Sequence, residues 1–281
     1  MSSYYYAKKR EAEPAAREMR DAVLKEKIME VWSGEKGRKV YGARKVWLEL
    51  NGQGIAVARC TVERLMRELG ICGASAGRKR PPTTLPGDPA DRPSDLLERC
   101  FDAAAPNRRW VADITYVQTF SGWVYAAFVM DLFARAVLGW QVADHLRSDL
   151  ALDALEMAIW SRRDEDLAGL VHHSDRGVQY TSIRYAERLA GEKAVRSVGS
   201  KGDSYDNAAA EALNSLYKRE LIDPGKDWQG VDDVMLATMD WVQWYNEDRI
   251  HSYSADMPPK RYEEIYYQAL ESGNLASSSQ T

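Results

Sequence analysis

Cysteine and phenylalanine are scarce in this chain: three cysteines and four phenylalanines among 281 residues. Cys60, Cys72 and Cys100 are far apart and odd in number, and no CxxC pair occurs, which argues against a disulfide framework. The four histidines do not join the cysteines at zinc-ligand spacing, so a structural zinc module is not expected either. No run of about 18 apolar residues occurs, and the stretch MSSYYYAKKREAEPAAREMR holds no apolar signal core. These absences argue against membrane spanning and secretion, and predict reduced thiols in a cytoplasmic protein.

What is present is ordinary in bulk, 45% hydrophobic and 28% charged, as in globular domains. Nine Trp and fifteen Tyr favour large rings with a polar handle, which suit wet core edges and surfaces that stack on bases. The net charge of -4 hides an asymmetry. Residues 1–80 carry 18 Lys+Arg against 10 Asp+Glu, a balance of +8, and the remainder carries 20 against 32, a balance of -12. A basic end on an acidic body suits a polyanionic partner, although charged helix faces in water give the same count.

Apolar periodicity predicts a helix over 16–34, a second over ARKVWLELN ending at Asn51-Gly52, and a third over ARCTVERLMRELG capped by Gly70. Two short helices around the turn GQGI match a helix-turn-helix plan, with Arg59, Arg64 and Arg67 on the second as DNA contacts. Residues 1–72 are thus expected to form a helical DNA-binding region. Residues 73–94, rich in Pro, Gly and Ala, form a linker. Beyond it, RRWVADITYVQTF, GWVYAAFVMDLF and RAVLGWQVAD alternate as three strands of a meander. Helix, strand, helix, strand and helix follow (DLALDALEMAIWSRR, GLVHHSD, SIRYAERLAG, AVRSVG, DNAAAEALNSLYKREL), then an amphipathic helix near 231–246. This order predicts an α/β fold, a mixed sheet flanked by helices, over residues 95–266 and a flexible tail over 267–281.

Three carboxylates stand out. Asp113 lies inside a strand, where a buried charge is costly unless a cation or hydrogen bonds meet it; Asp131, ending a strand before a turn, is ordinary. Asp175 follows the strand LVHHS, at the strand end where ligands gather in α/β sheets. Glu211 sits one turn into a helix begun by Asp206 or Asn207, among small residues, with Asn214, Ser215 and Lys218 following on its face. Clustered carboxylates repel one another unless divalent cations intervene, and all-oxygen ligation suits Mg²⁺ or Mn²⁺.

At these residues the sequence resembles the retroviral-integrase-like DDE transposases, and most of all the second-frame (OrfB-type) product of the insertion-sequence-three group. The matching segments are WVADITYV (Trp110–Val117), HHSDRGVQYTS (His172–Ser182), SKGDSYDNAAAEALNSLYKREL (Ser200–Leu221) and the tail YNEDRIHSYSADMPPKRYEE. Asp113 and Asp175 have 61 residues between them, and Asp175 and Glu211 have 35, the family's spacing. The tail departs at Tyr253-Ser254-Ala255, where a Leu-Gly-like pair is common.

The resemblance implies an RNase-H-like core with Asp113, Asp175 and Glu211 as catalytic metal ligands for two Mg²⁺ ions, Mn²⁺ substituting. It implies cleavage at element ends and 3′-OH strand transfer, with Lys218, Lys201, Arg176 and Asn214 near DNA. It further implies self-association, a first-frame (OrfA-type) helix-turn-helix partner or fusion, and a place on bacterial DNA in the cytoplasm. The competing readings are an RNase-H-like nuclease that only hydrolyses and a DNA-binding regulator with a silent core. A covalent Ser or Tyr recombinase finds no supporting arginine cluster. His172 and His173 read as strand-end structure, and Arg249 and His251 as either structural or phosphate-contacting.

Overall fold

The computed structural model describes residues 15–75, 102–175, 177–198, 207–224 and 227–278, with side chains to residue 273. Arg176, Lys201 and residues 76–94 of the expected linker lie outside them. The chain divides into two compact units, Met1–Ser75 and Ala76–Thr281.

The first unit holds α1 (Ala16–Ser33), α2 (Ala43–Gly52) and α3 (Arg59–Glu68). Leu24, Ile28, Val31, Val46, Leu50, Val62, Leu65 and Met66 recur at helical spacing and are buried, so each helix turns one apolar stripe inward. Gly54, in the α2–α3 turn, has φ +82°, a conformation that favours glycine; Gly70 has φ +68° just beyond α3, the expected cap position. Trp47 Nε1 donates to the Val57 carbonyl at 2.9 Å and pins that turn.

The second unit is built on a five-stranded sheet: β1 (Arg109–Thr119), β2 (Gly122–Asp131), β3 (Val137–Ala143), β4 (Val171–Ser174) and β5 (Val195–Val198). The order is β3-β2-β1-β4-β5, antiparallel across the first three and parallel from β1 to β5. α4 (Ser148–Ser161) and α5 (Ile183–Gly191) pack with Trp110, Ala112 and Val129 in one apolar core. On the opposite face lie α6 (Ala208–Tyr217) and α7 (Val231–Glu247), joined to the sheet by edge-to-face rings: Phe128–Tyr217 at 5.0 Å and Tyr217–Trp241 at 5.3 Å. α4 meets β3 backbone to backbone. A Cβ at Gly139 would stand 2.0 Å from the Ala154 carbonyl oxygen and 2.6 Å from the Ala158 nitrogen. Because main chain cannot rotate aside, Gly139→Ala is expected to cost about 3 kcal/mol, seen as a lower urea midpoint.

Three features differ from the sequence expectations. Asp131 is fully buried, more so than Asp113, with both oxygens met by the N–H groups of Asn107 (2.6 Å) and Phe133 (2.7 Å). The helix bearing Glu211 does not run on as α to Leu221; from Lys218 to Ile222 it widens to a π turn. The segment from residue 267, expected as flexible tail, belongs to α8 (Pro259–Ser278). The reason is packing just upstream: Tyr262 and Tyr266 lie 5.2 and 4.8 Å from the Phe133 ring, and Tyr267 Oη donates to Glu165 at 2.5 Å.

Candidate active site

Asp113 owes its position to strand alternation. Trp110, Ala112 and Ile114 face the α4–α5 core, so Asp113 projects to the other face, opposite its cross-strand partner Phe128. Its carboxylate accepts from its neighbour Ile114 N at 2.9 Å and from Asn214 Nδ2 on α6 at 2.8 Å.

The parallel ladder brings the second acid alongside. β1 and β4 pair in register from Arg109↔Val171 to Ala112↔Ser174, so the next rung is Asp113 beside Asp175. Asp175 Oδ1 accepts from Gly177 N at 2.8 Å, and a Cβ at Gly177 would meet that oxygen at 2.9 Å and Gln179 Oε1 at 2.8 Å. Gln179 is itself anchored, donating to the Leu146 carbonyl at 3.1 Å, so Asp175 is the group that would yield. Gly177→Ala is expected to displace the Asp175 carboxylate, seen as a shift of its side-chain carbonyl resonance, with little change in melting temperature.

Glu211 comes from α6. Ala209 and Ala210 are buried against the sheet, leaving Glu211 exposed on the rim. Asn207 stands at the N-cap position but does not cap; its Nδ2 donates across to the Ala112 carbonyl at 3.2 Å, tying the start of α6 to the strand before Asp113.

The electrostatics follow from that assembly. Burial, the charge of Asp175 and, more weakly, that of Glu211 push the Asp113 pKa up to about 8. Burial also raises Asp175 and, from its partly covered position on the rim, Glu211. An amide and backbone N–H groups are the donors that these carboxylates have in the cited contacts; none is a cationic side chain. Asn214 Oδ1 and Asn207 Oδ1 are buried without hydrogen-bond partners among the described residues. Mutually repelling acids beside unsatisfied oxygens suit a hard divalent cation. Among the described residues no three acids, histidines or cysteines close around a single point, so the trio is arranged as neighbours and not as a cage.

The remaining expected residues divide clearly. Asn214 is buried and turned onto Asp113. Lys218, two turns past Glu211, has Nζ 4.2 Å from the Tyr116 ring centroid. His172 and His173 are buried on Tyr185 Oη (3.0 Å) and Ser197 Oγ (2.8 Å). Arg249 is held by Glu220, and His251 lies on Arg249 and the Tyr245 carbonyl. In the first unit Arg64 turns inward onto Asp21 of α1 and Glu68, Arg59 pairs with Glu63, and Arg67 is exposed without an acidic partner among the described residues. One site residue carried no separate sequence signal: Tyr180 is buried, its hydroxyl has no partner among the described residues, and burial above all, with Asp113 and Asp175 nearby, raises its pKa well above the ordinary tyrosine value.

Sheet order, helices on both faces and one acid on each of β1, the end of β4 and α6 are the layout of an RNase-H-like polynucleotidyl transferase core of the DDE type. Residues 103–204 match the family described as integrase core domain, residues 195–259 a second family of that description, and residues 18–79 an HTH-like domain family. The chain is 53% identical over 270 residues to the transposase for insertion sequence element IS986/IS6110 of Mycobacterium tuberculosis, covering 95% of each chain. It is 43% identical to the transposase for IS629 of Shigella sonnei (98% of this chain, 92% of the relative). It is 34% identical to transposase InsF for IS3A of Escherichia coli (81% and 78%). The chain belongs to the insertion-sequence DDE transposases of this OrfB type. A core of this kind uses divalent metal, and the protein is a DNA transposase. No described helix is long and apolar enough to cross a membrane.

Proposed function

We propose that Asp113, Asp175 and Glu211 are the metal ligands of this transposase, and that they hold two Mg²⁺ ions for which Mn²⁺ substitutes. The observation that carries this is the β1–β4 ladder ending at Ala112↔Ser174, one residue before each acid, with Asp175 raising the Asp113 pKa, Asn214 bonded to Asp113 and Gly177 to Asp175. When bound, such ions activate the attacking oxygen and neutralise the departing one in an in-line displacement. The chain's own part is placement: Asn214 fixes Asp113, Gly177 fixes Asp175, α6 presents Glu211, and the π turn that continues it presents Lys218. Two displacements follow at phosphorus. Water cuts a strand at the element's end and leaves a 3′-OH; that 3′-OH then attacks a phosphate of target DNA and displaces the target strand's 3′-oxygen, which leaves as a hydroxyl, with no bond between protein and DNA.

Lys218 holds a phosphate near the carboxylates. The helical unit ending near residue 72 supplies a second DNA contact through Arg67 and Arg59, whereas Arg64 is committed to Asp21. Pairing two DNA ends requires self-association, and a first-frame helix-turn-helix protein is the expected partner. The test is incubation with labelled element-end DNA and Mg²⁺. Joined products are the expected result; hydrolysed products alone would favour the nuclease, and bound but intact DNA the silent regulator.

A further inference from the structure

β1 and β2 outrun the rest of the sheet. β4 pairs with β1 only as far as Ala112, whereas β2 follows β1 to Thr119. The extension carries three exposed aromatic side chains: Tyr116 (39% exposed), Trp123 (50%) and, at the turn, Phe120 (73%). Tyr116 and Trp123 share one face, since Tyr116 opposes Tyr125 and Trp123 opposes Gln118. Their rings meet edge to face with centroids 5.3 Å apart. Alternation puts Tyr116 on the side away from Asp113, yet Lys218, at the start of the π turn that continues α6, reaches its ring at 4.2 Å. β1 lacks a strand partner on that flank beyond Ala112 among the described residues, so Lys218 closes round the strand's open side.

We infer that Tyr116 and Trp123, with Lys218, form a shelf that takes an unpaired nucleobase next to the phosphate at the carboxylates. The inference rests on the proposed carboxylate site and extends it. Tyr116 is three residues beyond Asp113, about 10 Å along the strand, and Lys218 is seven beyond Glu211, about 10 Å along the helix. Both elements therefore lead from the carboxylates to the same place. A nucleotide leaving the carboxylates along this path offers a phosphate to the Lys218 ammonium and a ring face to the indole of Trp123. A base inside a duplex has both faces stacked; only a frayed or extruded one has a face to give. The shelf therefore selects separated strands over closed duplex.

The test is fluorescence anisotropy with duplexes of the element's terminal sequence, either fully paired or mismatched over the last base pairs. Trp123→Ala should weaken binding of the mismatched end about tenfold and leave the paired duplex within a factor of two. Trp123→Phe should restore most of the loss. 2-Aminopurine at the mismatched positions should be quenched by the wild type and not by Trp123→Ala. Equal losses on both duplexes, or unchanged binding and quenching, would overturn the shelf. Because binding is the readout, the carboxylate proposal fails separately, by strand transfer surviving in Asp175→Asn.

Discussion

Asp113→Asn is expected to raise the melting temperature of the metal-free protein at pH 8 while reducing strand transfer about a thousandfold or more. The two effects share a cause. The carboxyl group is pushed from 3.8 up to about 8 in the fold, mainly by burial and by Asp175. An unfolded chain gives up that proton near pH 4 and the folded one only near 8. Raising the pH between those values therefore drains stability from the fold, on the order of a few kcal/mol. Asn cannot ionise and escapes the loss. The side chain still fits, because Asn214 can turn its amide so that its unpartnered Oδ1 accepts from the new Nδ2. Activity is lost because a neutral amide is a poor ligand for a hard cation. Wild type should also gain more from Mg²⁺ at pH 8 than at pH 6, since the ion displaces a proton at the lower pH. Calorimetry at both pH values, with and without Mg²⁺, checks all of this. A mutant that melts below wild type at pH 8 without metal would show that the acid is not strained.

The second large effect is at a distance from the acids. Arg249 donates to Glu220 at 2.9 and 2.5 Å, with the two side chains 6% and 4% exposed. Arg249→Ala leaves the Glu220 carboxylate buried and alone, which should cost about 3–5 kcal/mol. Removing both charges, as Arg249→Met with Glu220→Leu, should recover most of that, since a buried ion pair and a packed apolar pair are near in energy. A double-mutant cycle by urea unfolding measures the difference. Additive losses would show that the pair is not coupled.

That pair also shows where a sequence stops being legible. KREL reads as about one more turn of helix, and nothing local announces a π turn; its contact is with Arg249, 29 residues away from Glu220. Strands and helices were legible because their apolar periods are local, whereas the acids were singled out because their spacing matches a family. The inward turn of Arg64 depended on Asp21 in another helix, that of Asn214 on Asp113 in another strand. The tail departure at Tyr253-Ser254-Ala255 is likewise resolved by distant partners. Ser254 Oγ donates to the Ala134 carbonyl at 2.9 Å and the Arg135 guanidinium lies 4.1 Å over the Tyr253 ring, while Ala255 takes φ +52°. Side chains were legible by type, and their addresses only by tertiary structure.

The four rungs from Arg109↔Val171 to Ala112↔Ser174 make the chemistry a matter of parity. Surface turns between β2 and β4 can lengthen without disturbing which acid stands beside which. One residue gained or lost within those rungs, however, shifts the phase of β1 and sends Asp113 through the sheet to the apolar side. Natural variation in this lineage should therefore tolerate uneven loop lengths and forbid odd-numbered insertions in four short steps of strand.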